Sequence, residues 1–563
     1  MNKALFEDIL SKVQRPARYL GTEWNAVRKD WSKVAVKMVF AFPDLYEVGM
    51  SHLGLQILYG LVNSEADYLM ERVFAPAPDM EAELRRRGLP LFSLESRRPV
   101  ADFDVVGFTL PYELTFTNVL NMLDLAGIPL RASERGDAHP LVIGGGPAVY
   151  NPEPLAPFFD AFVIGEGEEV LLEVLEALKD AKRGRYPERS LVIERLGEIP
   201  GVYVPAWYGV EYTGEGRIKR VFPIKPGAPE RVRRRVVKDL NITYFPDAPI
   251  VPLAESVHER GMVEVFRGCS RGCRFCQAGM IYRPVRERDP EVLHRQAAEI
   301  LKNTGYEELS LVSLSSLDYT GLQRLLRLLR DRCTATRTGL SLPSLRVDSF
   351  SVEVAGSLPG VHKSSLTFAP EAGTQRLRDV INKGVTEDDL LEAARAAFEA
   401  GWTALKLYFM VGLPTEEDAD LVGIGDLVRK VRQVARDVFK DKRKVRLTVS
   451  AASFVPKAHT PFQWEGQLPR EELERRHRFV ASLVRRQGAA YHWHNIETSF
   501  LEAVFARGDR RLAAVLEGAW RRGCRLDGWT EHFRFHLWEE SFEEAGLDPR
   551  FYAERRLEYD EVL

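Results

Sequence analysis

The stretch Glu264-Val-Phe-Arg-Gly-Cys-Ser-Arg-Gly-Cys-Arg-Phe-Cys-Gln-Ala-Gly279 decides how the rest of the 563-residue chain is interpreted. It carries Cys269, Cys273 and Cys276 in a C-x-x-x-C-x-x-C spacing. An odd number of cysteines this close together disfavours a disulfide framework. Thiolates at this spacing can instead point inward from one tight loop at a soft metal centre. A glycine directly before each of the first two cysteines supplies the backbone freedom that such a loop needs.

Three arginines, Arg267, Arg271 and Arg274, are interleaved with the cysteines. Positive charge beside a thiolate lowers the pKa of the thiol and offsets an anionic cluster. We therefore expect these arginines to act on the cysteines. The apolar run Met262–Phe266 predicts a buried strand, so the cysteines lie just past a strand end.

The number of cysteines separates two kinds of metal site. A four-iron cluster normally takes four cysteines, so three would leave one iron with an open position for a substrate or cofactor. The alternative is a structural zinc site completed by a histidine such as His258 or His294. Zinc sites usually show a second C-x-x-C or H-x-H pair, which the sequence lacks, so we favour the cluster.

The composition is that of an ordinary globular protein, with 45% hydrophobic and 28% charged residues and a net charge of −3. This charge gives no overall nucleic-acid footprint. The sequence has no signal peptide and no apolar run long enough to span a bilayer. Five cysteines in so long a chain fit a reducing cytoplasm. Cys333 and Cys524 stand alone, and we expect them to be small buried hydrophobes.

Residues 31–180 alternate strand-like runs, loops and helices, after an N-terminal helix or arm over residues 1–30. The run Val34–Phe42 is apolar almost throughout, which is typical of a strand buried on both faces of a parallel sheet. The alternation predicts a doubly wound, Rossmann-like α/β domain. Its ligand should bind at the carboxyl ends of the strands, where glycine-rich loops gather.

The loop Asp44-x-Tyr46-x-x-Gly49 follows the first of these strands. No G-x-G-x-x-G opens the first helix, which disfavours a nicotinamide site. The loop resembles the D-x-H-x-x-G loop of cobalamin-binding domains, with tyrosine in the place of histidine. Taken alone, a glycine-rich loop of this kind is explained equally well as a tight turn.

Residues 251–465 carry a second series of six strands with intervening helices. Polar groups follow the strand ends, where TIM-like barrels place their chemistry. We therefore predict a partial (β/α)6 TIM-like barrel. A connector with a β ribbon is expected over residues 181–250, and a helical C-terminal region over residues 466–563.

The whole chain resembles the cobalamin (B12)-binding radical S-adenosylmethionine (SAM) proteins, and within them an uncharacterised bacterial group. The resemblance rests on the Rossmann-like domain ahead of the cysteine loop and on Pro370-Glu-Ala-Gly-Thr-Gln-Arg-Leu-Arg-Asp-Val-Ile-Asn-Lys-Gly384 and Phe454-Val-Pro-Lys-Ala-His-Thr-Pro-Phe-Gln-Trp464. It implies a [4Fe–4S] cluster on Cys269, Cys273 and Cys276 whose open iron chelates SAM.

The resemblance also implies positions for two further cofactors. SAM would lie beside Phe275, Ser315, Ser316, Asp318, Arg346, Glu371 and Arg376. For any one of these residues an ordinary cap or turn is an alternative, and Ser-Ser-Leu-Asp before a helix is a good N-cap. Cobalamin would lie beside Asp44, Tyr46, Gly49, Thr109, Gly144, Gly145, Gly146, Gly165, Glu166 and Gly167.

The implied reaction begins when the reduced cluster passes an electron to SAM, giving methionine and a 5′-deoxyadenosyl radical. The radical takes hydrogen from an unactivated carbon, and methylcobalamin donates a methyl group to that carbon. We expect methylation because it is the commonest reaction of this layout. One alternative is a cobalamin-dependent rearrangement, cyclisation or oxidation. The other is a methylthiotransferase-like RNA-modifying enzyme, which would need three further cysteines that Met1–Gly261 lacks.

The resemblance implies partners as well as cofactors. We expect an electron donor such as flavodoxin or ferredoxin, and a chain that works as a monomer or homodimer without a membrane. The substrate is left open as an RNA, a protein or a metabolite.

Overall fold

The computed structural model describes residues 3–184, 188–342, 366–440, 445–559 and 561. The chain forms two compact units, and neither is a single continuous segment. Unit 1 comprises Met1–Glu259, Gly508–Asp548 and Asp560–Leu563, and unit 2 comprises Arg260–Arg507 and Pro549–Tyr559. None of the helices in the described residues has both the length and the apolar character needed to cross a membrane.

Unit 1 is built on a sheet with the described strands in the order β2-β1-β3-β4-β5-β6. The first five are parallel, and β6 pairs antiparallel with β5. The strands are β1 Val36–Phe42, β2 Tyr68–Phe74, β3 Val105–Thr109, β4 Leu141–Gly145, β5 Ala161–Val163 and β6 Val202–Tyr203. The strand order reverses between β1 and β3, and doubly wound sheets leave a ligand crevice at such a switch point. The predicted doubly wound fold is confirmed.

Strand β2 was not predicted, because Glu71 and Arg72 interrupt its apolar pattern. All seven of its residues are nevertheless buried. The Arg72 guanidinium donates to Glu95 at 2.6 Å and to Glu23 at 3.0 Å. Charged groups persist in a protein interior only when they are paired in this way.

Helices alternate with the strands of unit 1, as the sequence predicted. They are Lys3–Leu10, Tyr46–Gly49, Leu53–Ser64, Pro78–Arg87, Phe116–Leu125, Gly167–Arg183, Arg189–Glu198, Leu512–Arg521 and Phe535–Ala545. The predicted ribbon is formed by the antiparallel strands β7 Tyr208–Tyr212 and β8 Ile218–Pro223. The segment expected to be a separate connector also contributes β6 to the main sheet, so it is part of unit 1.

The C-terminal region, predicted as one helical segment over residues 466–563, is divided between the two units. Residues Gly508–Asp548 join unit 1, where Thr117 donates to Asp527 at 2.7 Å and Arg131 pairs with Glu517 at 2.6 Å. These contacts link residues 410 and 386 positions apart, which no local pattern in the sequence reveals.

In its described residues, unit 2 contains two parallel sheets, in the orders β13-β12-β9 and β14-β15-β16-β17. The strands are β9 Gly261–Glu264, β12 Glu308–Val312, β13 Gly339–Ser341, β14 Leu366–Glu371, β15 Ala404–Val411, β16 Arg446–Ser453 and β17 Ala490–Trp493. A short antiparallel pair, β10 Phe266–Arg267 and β11 Arg286–Glu287, follows β9. The predicted α/β class is confirmed, and β17 is an additional strand in the region expected to be helical.

Helices connect the strands of unit 2 and cover one side of each strand. They are Gln277–Ile281, Pro290–Thr304, Leu322–Thr336, Gln375–Val380, Glu387–Glu399, Asp418–Phe439, Arg470–Arg486, Ile496–Ala506 and Pro549–Ala553. Along β15, Leu405, Leu407 and Phe409 are buried, whereas the alternate residues Lys406 and Tyr408 are partly exposed. One face is therefore packed and the other is more open, as expected of an incomplete barrel.

Candidate functional site

The cysteine loop leaves the carboxyl end of β9 and turns at two glycines with left-handed backbone. Gly268 has φ +96° and Gly272 has φ +74°. A Cβ on Gly268 would lie 2.6 Å from the carbonyl oxygen of Pro284 and 2.7 Å from that of Tyr282. Gly268 is therefore required both by its dihedral angle and by the close approach of the returning chain.

The three cysteines of the loop are free thiols. Cys273 is buried, and Cys269 and Cys276 are partly exposed. The Cys276 sulfur accepts a hydrogen bond from the Gly279 amide at 3.3 Å, at the start of a short helix. Cys333 and Cys524 are buried elsewhere, as expected of structural cysteines.

The guanidinium groups of the loop arginines are paired with other groups of the protein. Arg267 pairs with Glu264 at 2.9 Å, Arg271 pairs with Asp318, and Arg274 donates to the Val380 carbonyl. Burial raises the pKa of Cys276, and the neighbouring Cys273 and Cys269 raise it further, against lowering contributions from the Gly279 amide and Lys383. The expectation that the arginines lower the thiol pKa is thus wrong for Cys276, because each guanidinium is engaged with another group.

A second segment, residues 380–383, holds the cysteine loop by its backbone. The Arg274 amide donates to the Ile381 carbonyl at 3.0 Å, and the Asn382 side chain donates to the Gly272 carbonyl at 2.9 Å. On its other side the loop accepts at the Arg274 carbonyl from the Phe462 amide at 3.2 Å. On the loop, all three contacts are made by backbone groups, and none of them uses a thiol. Sequence reasoning singled out this segment only as a family motif and missed its role as an anchor.

The Ser-Ser-Leu-Asp turn after β12 is tied to the cysteine loop. The Arg271 Nε donates to Asp318 at 2.8 Å, and the Ser315 hydroxyl donates to the same carboxylate at 2.7 Å. Ser316 is 1% exposed and donates to the Leu311 carbonyl at 3.2 Å. The structure therefore brings Ser315 and Asp318 to the cysteine loop, while the Ser316 hydroxyl is directed into the end of its own strand.

The other residues assigned to SAM are placed differently from one another. Glu371 ends β14 with φ +66° and pairs with Lys383 at 3.0 Å. Arg376 pairs with the buried Asp420 of a neighbouring helix and is nearly half exposed. Phe275 packs against an apolar cluster that includes Ile381 and Phe462. Arg346 lies outside the described residues.

The donor set of the loop is three thiols, which a four-iron cluster can use. In the described part of the chain, no three His, Cys, Asp or Glu side chains are gathered around one point as they would be around one metal ion. In a four-iron cluster the thiolates bind separate irons, so the sulfurs need not converge. Three thiols on one loop can therefore bind three irons of such a cluster without meeting at one point.

At the carboxyl edge of the unit 1 sheet, the loop after β1 is engaged with the protein itself. Asp44 is 4% exposed and accepts from the Trp529 indole at 2.8 Å, and burial raises the pKa of its carboxyl. The Tyr46 hydroxyl donates to Glu23 at 3.1 Å and accepts from the Leu253 amide at 3.1 Å. Burial and the adjacent Glu23 raise the pKa of Tyr46 well above its ordinary value.

The glycines assigned to cobalamin divide into packed and open positions. A Cβ on Gly49 would lie 2.2 Å from Phe74, one on Gly144 2.7 Å from Phe162, and one on Gly165 2.3 Å from the Arg235 carbonyl oxygen. At Gly145 the nearest atom would be 4.0 Å away. Packing inside the protein therefore accounts for the first three, and Gly145 is the position where the backbone is open to a ligand.

The remaining residues assigned to cobalamin complete the same edge. A Cβ on Gly146 would lie 2.9 Å from the Leu110 carbonyl oxygen and 3.2 Å from the Thr109 hydroxyl. Glu166 is buried and accepts from the Val237 amide at 2.6 Å. Gly167 opens the following helix. Their assignment to cobalamin stays a prediction, and the fit at this edge is best around β4.

Sequence reasoning missed the residues that cover the switch point between β1 and β3. Asn118 donates to the Pro43 carbonyl at 2.8 Å and accepts from the Leu526 amide at 2.7 Å. A Cβ on Gly528 would lie 1.9 Å from the Tyr112 hydroxyl oxygen. Asn118 lies on the helix that follows β3, and its partner Leu526 comes from the distant C-terminal segment.

Comparison with known families identifies both halves of this arrangement. Residues 54–205 match the model for the N-terminal domain of radical SAM proteins, and residues 263–428 match the model for the radical SAM superfamily. An uncharacterised protein of Methanocaldococcus jannaschii is 27% identical over 492 residues, 86% of this chain and 91% of that protein. An uncharacterised methyltransferase of Pyrococcus horikoshii is 25% identical over 54% of this chain and 65% of that protein.

Solved structures share the fold at low sequence identity. The cobalamin-dependent SAM radical enzyme OxsB with aqua-cobalamin bound is 14% identical, with a TM-score of 0.50 over 98% of this chain and 78% of that chain. The radical SAM methyltransferase TsrM from Kitasatospora setae is 16% identical, with a TM-score of 0.48 over 76% of this chain and 77% of that chain. The two family models together span more than half of the residues. The chain therefore belongs to the radical SAM superfamily, with a radical SAM N-terminal domain ahead of its radical SAM domain.

Proposed function

We propose that the chain is a cobalamin-dependent radical SAM enzyme that methylates an unactivated carbon. The single observation that carries the proposal is the cysteine loop, because it offers Cys269, Cys273 and Cys276 from one backbone-anchored turn. When bound, a reduced [4Fe–4S] cluster supplies the electron that cleaves SAM, and cobalamin supplies the methyl group. Everything else in the reaction is positioning and exclusion of water by the protein.

The residues of unit 2 would hold SAM at the carboxyl ends of its strands. The Glu371 carboxylate and the Ser315–Asp318 turn offer acceptors for the amino group and hydroxyls of the cofactor. The Phe275 ring is only partly buried and can take the adenine. Arg376 is already paired with Asp420, which makes it a weaker candidate for the SAM carboxylate than the sequence suggested.

The open backbone at Gly145 is where unit 1 would accept cobalamin. Tyr46 and His52 are poor candidates for a cobalt ligand. The Tyr46 hydroxyl is bound to Glu23, and the Nδ1 of His52 accepts from the Leu55 amide at 3.1 Å. Burial lowers the pKa of His52 to about 4, so its ring stays neutral and fixed as a helix cap. We propose cobalamin with no protein nitrogen on cobalt. A nitrogen superhyperfine pattern in the EPR spectrum of the cob(II)alamin form would refute this.

Methyl transfer is preferred to the other reactions on the evidence of relatives. The Pyrococcus horikoshii relative is described as a methyltransferase, and so is TsrM. A cobalamin-dependent rearrangement, cyclisation or oxidation is the alternative that the experiment must separate. The superfamily needs an electron donor, for which we propose a flavodoxin or ferredoxin.

The test is anaerobic reconstitution with iron, sulfide and cobalamin, followed by reduction and addition of SAM with a deuterated methyl group. We expect about four irons per chain, formation of 5′-deoxyadenosine, and labelled methylcobalamin even without substrate. Deoxyadenosine without labelled methylcobalamin would favour the reactions that transfer no methyl group. Stoichiometric zinc with no iron would contradict the proposed function altogether.

A further inference from the structure

We propose that Lys383 is a positioning residue that orients the Glu371 carboxylate for SAM and supplies a fixed positive charge beside the cysteine loop. The inference rests on the proposed function and adds a residue that the sequence did not assign. It is carried by the ion pair between the two side chains and by the attachment of residues 380–383 to the loop.

The ion pair is close and shielded from water. Lys383 Nζ lies 3.0 Å from Glu371 Oε1, and the two side chains are 11% and 15% exposed. Among the described residues, Lys383 is the one side chain bound to this carboxylate, which leaves Oε2 for a ligand. An ion pair at this burial holds its partners in one geometry more firmly than an exposed pair does.

The backbone of Glu371 has an unusual conformation. Its φ of +66° is in the left-handed region, which costs about 1 kcal/mol or more for a residue other than glycine. Such a conformation persists only where the surroundings fix it, and it is concentrated at functional sites. Here the strained residue is the last residue of β14, where the barrel edge presents its polar groups.

Lys383 is attached to the cysteine loop through its neighbour. Asn382, with φ +53°, donates its side-chain amide to the Gly272 carbonyl, and the Lys383 amide donates to the Arg378 carbonyl at 2.9 Å. The Lys383 ammonium also lowers the pKa of Cys276, although burial has the larger and opposite effect. Lys383 thus connects Glu371, the residue expected to bind SAM, with the loop whose thiols are expected to bind iron.

The two charges of the pair should act on a bound cluster in opposite directions. Reduction adds an electron, so a nearby positive charge favours the reduced form and a nearby negative charge disfavours it. Lys383→Gln should therefore make the midpoint potential more negative, and Glu371→Gln should make it more positive. A purely structural role predicts no such opposition.

The experiment is an EPR-monitored redox titration of the reconstituted protein at pH 8, with SAM affinity measured by equilibrium dialysis. We expect shifts of opposite sign in the two variants at parental iron content. SAM affinity should fall about tenfold in Lys383→Gln, as for the loss of one charge-assisted hydrogen bond. Lys383→Arg retains the charge. We therefore expect an unchanged midpoint potential and a SAM affinity within about twofold of the parent.

Equal potentials, or shifts of the same sign, at intact iron content would overturn the inference and leave the proposed function standing. If Lys383→Gln fails to take up iron, Lys383→Arg decides, because the inference requires parental iron and SAM affinity there and loss of either overturns it. Absence of iron from the parent protein would instead show that the proposed function has failed, and the inference with it.

Discussion

The cysteine loop of unit 2 and the sheet edge of unit 1 are both candidate cofactor sites, but they use their residues in opposite ways. In the loop, backbone groups make the structural contacts, as at the Gly272 carbonyl that accepts from Asn382, and the three cysteines form no disulfide. At the sheet edge, the assigned side chains make the contacts themselves, as between Asp44 and Trp529. Where backbone groups hold a loop in place, its side chains can bind a ligand. Where the side chains themselves hold the structure together, fewer of their polar groups can bind one.

Among the glycines of the sheet edge, Gly165 is the one whose substitution should have the largest effect. Gly165 has φ +108°, and a Cβ at this position would lie 2.3 Å from the backbone oxygen of Arg235. An alanine here would be strained and would clash with that oxygen. We expect Gly165→Ala to destabilise the protein by about 3–5 kcal/mol. Gly88→Ala is the matched control, since Gly88 also has a positive φ but no atom within 4 Å of its Cβ, and we expect a cost of about 1 kcal/mol.

The measurement is the midpoint of thermal unfolding followed by circular dichroism. If Gly165→Ala and Gly88→Ala melt at the same temperature, the first glycine is not required by packing, and its assignment to a cofactor regains strength.

Neighbouring glycines at the end of β4 separate packing from binding. Gly144→Ala would force a methyl group against Phe162, and overpacking of this kind costs about 1–3 kcal/mol. Gly145→Ala meets no atom closer than 4.0 Å, so we expect unchanged stability. If cobalamin binds at this edge, its affinity should fall in Gly145→Ala. Equal cobalamin affinity in Gly145→Ala and the parent, by equilibrium dialysis, would place the cofactor elsewhere.

The anchor of the cysteine loop can be weakened without disturbing its backbone. Asn382→Gly removes the amide that binds Gly272 but keeps a residue suited to φ +53°. We expect iron to be lost several-fold faster to a chelator, because a net hydrogen bond of about 1 kcal/mol is missing. Asn25→Gly is the control, since Asn25 has φ +67° and likewise binds a carbonyl, that of Pro249 at 3.0 Å, but in unit 1. Similar iron loss in both variants would contradict the anchoring role.

The smallest effect concerns Asp527, which helps to attach the C-terminal segment to unit 1. Burial raises its pKa from 3.8 to about 6, so the folded protein binds more protons than the unfolded chain between these values. Its contribution to stability is therefore greatest below about pH 4 and is lost as the pH rises towards 6. Asp527→Asn should gain melting temperature relative to the parent at pH 7 and not at pH 4. A difference that is constant between these pH values would contradict the raised pKa.

The sequence predicted the parts of the molecule whose chemistry or periodicity is local. The spacing of Cys269, Cys273 and Cys276 and the apolar run of β1 needed no tertiary information. Strand β2 could not be predicted, because Arg72 pairs with Glu23 and Glu71 accepts from Ser93, partners that come together only in the fold.

The contacts at the candidate site that the sequence did not predict also depend on tertiary structure. The loop arginines were expected to act on the thiols, and in the fold Arg267 pairs with Glu264 and Arg271 pairs with Asp318. The pairing of Glu371 with Lys383 joins residues twelve positions apart across a strand end and a helix. A sequence shows which groups are present, whereas their partners depend on how the strand ends are brought together.

The most direct test of the central claim is the iron content of anaerobically prepared Cys273→Ala beside that of Cys333→Ala. Both replace a buried cysteine in unit 2, but only the first lies on the loop. We predict about four irons and an EPR signal of a reduced four-iron cluster in Cys333→Ala, and neither in Cys273→Ala. Equal iron in the two variants, or zinc in place of iron in both, would contradict the assignment of the cluster to the cysteine loop.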